Sequence, residues 1–213
     1  ELQRYFTHSV DEVARWRVTE SLKFVAQEFP EADVYVTGNS LGATFVLSHI
    51  ARAGLGNIKG VTLLNTALKL SALMTTVVRI QKPVIVLTFG SSGATFFADL
   101  LQGAGNDAFV SNLMQAVSSQ MEGMPEVPIV MVSTDHDRVI DQNYAVGVGL
   151  DKQAFMPGLI SFVMEDVDHN HATGNPSMLN LLELVDAAMV DHSIRTITVG
   201  DSEESLANAS ATH

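Results

Sequence analysis

The segment VYVTGNSLGAT (residues 34–44) sets Ser40 between Gly38 and Gly42, directly after an apolar run. A serine hydroxyl is a poor nucleophile alone. It needs a base to take its proton, an acid to orient that base, and donors for the anion it creates. Two later segments supply these groups: PIVMVSTDHDRVI carries Asp135 and Asp137, and FVMEDVDHNHATG carries His169 and His171. The order serine, acid, histidine, each after an apolar run, matches one arrangement of a nucleophilic triad. Asp137 is the preferred acid, because the DRVI stretch turns the chain back into structure and would hold the carboxylate; Asp135 is the fallback. His169 is the preferred base. Two residues apart on extended backbone, only one histidine can face the serine, so His171 is the runner-up. A different gathering of Asp135, His136, Asp137, Asp166, Asp168, His169 and His171 would suit a hard cation or zinc.

A serine lifted above a sheet edge requires a sharp strand-to-helix turn, crowded enough to favour small residues two places before and after it. That requirement accounts for Gly38 and Gly42 in the sequence. The helix expected after Ser40 would aim the Leu41 N–H and its positive dipole end at a developing oxyanion. A rival turn occurs in TFGSSGATFFADLL, where Ser92 follows another apolar run. There Gly93, a poor helix former, follows the serine, so Ser40 is the better nucleophile.

The elements that would position these groups are legible as patterns. SVDEVARWRVTESLKFVAQEFP has a capping box, Ser9 with Glu12. Its apolar face runs through Val10, Val13, Ala14, Val18, Leu22, Val25, Ala26 and Phe29 to a stop at Pro30. Trp16 lies off that face and is read as packing. ADVYVT reads as a strand, and 41–53 as a helix ending before Gly54, with His49 a hydrogen-bonded core histidine. VTLLNTAL, PVIVLTF, VPIVMVS and LISFVMED read as further buried strands. ATFFADLLQ, DAFVSNLMQAVSSQM and SMLNLLELVDAAMV read as helices. Continuous apolar strands alternating with helices predict an α/β fold with a mostly parallel sheet covered on both faces. Residues 1–200 form one domain on this reading, with 54–82 an insert or lid and 201–213 a polar, frayed tail.

Composition narrows the partners. A net charge of −12 over 213 residues argues against nucleic-acid phosphates and anionic membrane surfaces. No apolar run is long enough for stable membrane insertion. With no cysteine, disulfides, thiolate nucleophiles and cysteine-ligated zinc are excluded. Soluble, secreted and cytoplasmic settings all stay open. The first residue is Glu1 with no signal segment before it, which reads as a processed or truncated chain.

The elbow GNSLGAT, with KFVAQEFP and DVYVT before it, resembles the segment of class 3 (fungal-type) lipases that ends in Gly-His-Ser-Leu-Gly-Gly, within the α/β-hydrolase superfamily. TFGSSGATFFADLL is similar to that family's next strand and turn. VSTDHDRVI resembles its acid segment, YAVGVGL the short strand that follows, and VDHNH the segment bearing the histidine. The resemblance covers roughly residues 10–53 and 83–171 and implies an α/β-hydrolase fold, in a form lacking its first strands. It implies Ser40 as nucleophile, Asp137 as acid and His169 as base. Asn39 stands where the family has histidine, Ala43 where it has glycine, and the proline after Ser91 is absent.

The expected activity is hydrolysis of a carboxylic ester, a lipid or other acyl ester, with no metal or cofactor. Leu73, Met74, Phe97, Met114 and Met121 would suit a flexible lipid-facing wall, although such residues are more often ordinary core. Transfer of the acyl group to another acceptor, thioester cleavage, or a non-catalytic binding module are the competing readings. Such sites use a second oxyanion donor from a loop after an earlier strand. On this reading a segment upstream of Glu1, a partner chain, or residues near Thr7 would supply it.

Overall fold

The computed structural model describes residues 12, 15–81, 83, 84, 87, 107–122, 127–153, 158–165, 168, 169, 196–200 and 210–212. A five-residue π-turn, Arg15–Thr19, leads into helix α1 (Glu20–Glu28). Strand β1 (Val34–Asn39), helix α2 (Leu41–Ala53) and strand β2 (Ile58–Leu64) follow. Helix α3 occupies 72–81. Helix α4 (Asp107–Met121), strand β3 (Ile129–Thr134), helix α5 (Gln142–Gln153) and strand β4 (Leu159–Glu165) come next. Strands β5 (Thr196–Gly200) and β6 (Ser210–Thr212) complete the described elements.

The six strands lie in chain order, β1 to β6. The first five run parallel and β6 antiparallel. Parallel neighbours need crossover connections, and α2, α4 and α5 lie in those from β1 to β4. All six residues of β3 are buried, which only a sheet covered on both faces allows. The core beneath α2 and α4 joins Leu47 and Ile50 to Met114, Val117, Val61, Leu63 and Met131. The expected parallel α/β sheet is the architecture found.

Several expectations need correction. VTLLNTAL, expected as a strand, contributes to β2 (Ile58–Leu64), which sits in the sheet between β1 and β3 and places part of 54–82 in the sheet itself. PVIVLTF does not enter between β2 and β3, and its described residues 83, 84 and 87 are helical. A short β-branched run has the same composition in a strand and in a helix, so apolar content alone cannot decide. YAVGVGL lies inside α5 rather than in a strand. The tail is not frayed throughout, because Ser210–Thr212 pair with β5. Val18 of the π-turn and Leu22 and Val25 of α1 pack on the core, but Phe29 is 58% exposed at the C-cap where the backbone leaves the helix. Ser9 and Val10 lie outside the described residues, as do Ser92, Phe97 and the ATFFADLLQ and SMLNLLELVDAAMV stretches.

Candidate active site

The C-terminal edge of the sheet collects the candidates, because register aligns the strand ends. Asn39 pairs with Leu64, Leu64 with Val132, and Thr134 with Met164. Ser40 follows β1, Asp137 follows β3 and His169 follows β4. Three residues far apart in the chain therefore leave the sheet side by side.

Ser40 has φ 54° and ψ −122°, an unfavourable conformation for a residue with a Cβ and worth roughly 1–3 kcal/mol of strain. Neighbouring backbone holds it there. Its N–H donates to the Leu64 carbonyl at 2.8 Å, and its carbonyl accepts from the Ala43 and Ala67 N–H groups at 3.1 and 3.3 Å. Thr44 Oγ1 donates to the Ala67 carbonyl, tying α2 to the same connection. The turn also explains Gly38: a Cβ there would stand 2.6 Å from Ala43 Cα and 2.7 Å from its nitrogen. The parallel expectation for Gly42 is not met. A Cβ on Gly42 would meet nothing within 4 Å, because the residue borders an open groove.

The Ser40 Oγ lies 3.0 Å from His169 Nε2, and His169 Nδ1 lies 2.6 Å from Asp137 Oδ2. The Asp137 side chain is completely buried and that of His169 is 12% exposed. Burial alone would raise the Asp137 pKa. Hydrogen bonds from His169 and from the Ile140 and Val139 N–H groups, with the attraction of the His169 ring, outweigh it and hold the carboxyl below the usual range. The two backbone donors reach Asp137 Oδ1 at 2.7 and 2.9 Å. An ionised carboxylate only accepts, so His169 carries its proton on Nδ1, and Nε2 is left to accept from the Ser40 hydroxyl.

The acid loop is itself fastened. Leu70 and Ile140 form an antiparallel bridge, the Ser71 N–H donates to the Val139 carbonyl, and Ser71 Oγ donates to the Arg138 carbonyl. Lys69 reaches Asp141 at 3.7 Å and lies over the Tyr144 ring. Asp135 is exposed beside His136 at 3.9 Å, away from this line. His171 and Thr7 lie outside the described residues. Leu41 is the first residue of α2, so its N–H has no acceptor within the helix. A groove of about 500 Å³ beside it is lined by Val18, Leu22, Leu41 and Phe45 among others.

Of the residues weighed as a lipid-facing wall, Met114 and Met121 are core residues under α2, the preferred reading, and Leu73 is 60% exposed on α3. The residue that sequence reasoning passed over is Asn65. It follows β2 with φ 45°, is fully buried, and bonds to the backbone of His169. Its only sequence signal is a polar residue ending the run VTLL.

No family model and no curated protein matches the sequence. Solved structures do. The chain is similar to a carboxylesterase of the ammonia-oxidizing thaumarchaeon Nitrososphaera gargenis, with a TM-score of 0.53 and 10% identity over 87% of this chain and 74% of that one. It is also similar to an esterase from a Rhodococcus species (TM-score 0.45, 13% identity, 78% and 68% covered). An α/β hydrolase from Novosphingobium aromaticivorans gives 0.43 and 11% identity over 79% and 68%. The sheet order, the elbow after β1 and the first of these likenesses agree on one architecture: the chain has the α/β-hydrolase fold.

Proposed function

We propose that this protein is a serine hydrolase of carboxylic esters, with Ser40 as nucleophile, His169 as base and Asp137 as the acid that orients it. The observation that carries this reading is the unbroken line from Ser40 Oγ through His169 to Asp137, at 3.0 and 2.6 Å, built on a strained elbow. Structural strain of this kind is retained where a site needs it.

In the reaction, His169 Nε2 takes the hydroxyl proton as Ser40 Oγ attacks the acyl carbon. The imidazolium that forms is stabilised by the ionised Asp137. The tetrahedral oxyanion meets the Leu41 N–H at the start of α2, where the helix dipole adds a partial positive charge. Collapse expels the alcohol, which takes its proton from His169. Water then enters by the same base-assisted route and frees the acid, returning Ser40. No metal or cofactor enters the scheme.

The substrate is an ester with an apolar acyl part. The apolar groove beside Leu41 supports that choice, and carboxylesterases among structures of this fold accord with it. Hydrolysis of p-nitrophenyl esters from acetate to laurate tests both parts. Activity that disappears in Ser40→Ala is the expected result, with a preference for acyl chains of four carbons or more. An acetate optimum would remove the apolar-acyl part of the proposal, and an unaffected Ser40→Ala variant would remove the whole of it.

A further inference from the structure

We infer that Asn65 is a positioning residue for the base: it fixes the backbone of His169, and with it the imidazole, at the distance Ser40 requires. The inference rests on the proposed triad and adds a member that does not touch the reacting atoms.

Three contacts make Asn65 a bracket across the strand ends. Its Nδ2 donates to the His169 carbonyl at 3.3 Å. Thr134 Oγ1, at the end of β3, donates to Asn65 Oδ1 at 3.0 Å. Its own N–H donates to the Val132 carbonyl at 2.7 Å. Both Asn65 and Thr134 are fully buried, so these bonds form without competing water. The His169 carbonyl settles the orientation of the amide. It can only accept, so the nitrogen faces it and the oxygen is left to accept from the Thr134 hydroxyl. The left-handed backbone at φ 45° is one that asparagine tolerates better than most side chains, and it aims the amide back across the sheet edge.

Such a bracket answers a specific need. His169 lies four residues beyond the end of β4, past the reach of the β3–β4 pairing, which ends at Met164. Its ring is held at Nδ1 by Asp137 and meets Ser40 at Nε2, and these side-chain bonds leave the His169 backbone itself unfixed. Anchoring the carbonyl removes that freedom. Misplacement of a reacting group by about 1 Å can cost on the order of a hundredfold in rate. Asn65 is thus expected to act on the chemical step and to leave substrate affinity alone.

Asn65→Asp tests this directly. It keeps the shape, the left-handed backbone and the acceptor for Thr134, and in its ionised form removes the donor to His169, so rates are compared at alkaline pH. With p-nitrophenyl butyrate, kcat is expected to fall about 10- to 100-fold with KM within about twofold, in protein that melts cooperatively. The rate of Ser40 labelling by a fluorophosphonate should fall by the same factor. A folded Asn65→Asp enzyme with wild-type kcat overturns the inference, as does a KM change that accounts for the loss. Should Asn65→Asp not fold, Thr134→Val, which leaves the amide unanchored, is expected to lower kcat several-fold at constant KM; wild-type kcat there is the overturning result. Ser40→Ala separates the two levels. If wild type and Ser40→Ala are equally active, the triad itself falls; if activity depends on Ser40 but not on Asn65, only the bracket does.

Discussion

At the scale of the residue, Ser40, Gly38 and Asp137 carry distinct physical demands. Gly38 is fixed by contact, because a methyl group would overlap the Ala43 backbone, which cannot yield without undoing the elbow. Gly38→Ala is therefore expected to destabilise by about 2 kcal/mol or more. Gly42→Ala, with open space around it, should stay within about 1 kcal/mol of wild type or gain slightly. Thermal unfolding of the two variants measures the contrast. Asp137→Asn keeps an acceptor for the Val139 and Ile140 N–H groups but presents the wrong partner to His169. Loss of kcat on the order of 10⁴ is expected with the fold retained. A loss below tenfold would place the acid elsewhere.

Protonation gives a second test on single residues. His49 sits in the core with Nδ1 2.9 Å from Thr19 Oγ1. Burial, reinforced by the nearby Arg52, lowers its pKa from 6.5. A base whose pKa is lower folded than unfolded binds protons preferentially in the unfolded chain. Its contribution is present above pH 6.5 and is lost as pH falls from there through the folded value. Asp137 is also shifted downward, so its contribution is present above pH 3.8 and disappears only as pH falls through its lower folded value. Urea midpoints should decline in wild type as pH falls below about 6.5, and decline less in His49→Gln. Equal slopes would contradict this assignment.

At the scale of the element, packing separates what holds the molecule together from what does the chemistry. Met114 on α4 is fully buried against α2 and the sheet. Met114→Ala should cost about 2–5 kcal/mol in stability while leaving kcat per folded molecule unchanged. Denaturant titration alongside active-site counting would check both halves. The same contrast explains what the sequence made legible. Strand β1, helix α2 and the elbow are contiguous, so local signals sufficed: a β-branched run, a glycine whose contact is four to five residues away, a helix stopped at Gly54. Strand β3 and β4 were readable because both faces are buried and their apolar runs are short. The PVIVLTF run was not, since apolar residues also occur in a helix with its apolar side in solvent; of its described residues, Val84 is 62% and Leu87 86% exposed. Strand β2 was readable as a buried strand from VTLL, but its place between β1 and β3 was not, because a long connection separates it from β3. Asn65 was invisible for the same reason. Its role depends on His169, 104 residues away, and on the left-handed turn that faces it.

At the scale of the whole molecule, parallel register does the positioning, because aligned strand ends bring Ser40, Asp137 and His169 to one edge. The charge of −12 then acts on what approaches that edge. An ester whose acyl group ends in a carboxylate should react more slowly than p-nitrophenyl butyrate at low salt. Screening lengths shrink to about 10 Å at 0.1 M salt, so added salt should narrow the ratio of kcat/KM values. A salt-independent ratio would show that the field plays no part.

The central claim is that one serine is activated by one histidine across the edge of this sheet. Fluorophosphonate labelling with the adduct mapped to its residue tests it most directly. The account predicts a single adduct on Ser40 in wild type, slowed by about 10³-fold or more in His169→Ala. An adduct on Ser92, or labelling of Ser40 at an undiminished rate without His169, would contradict it.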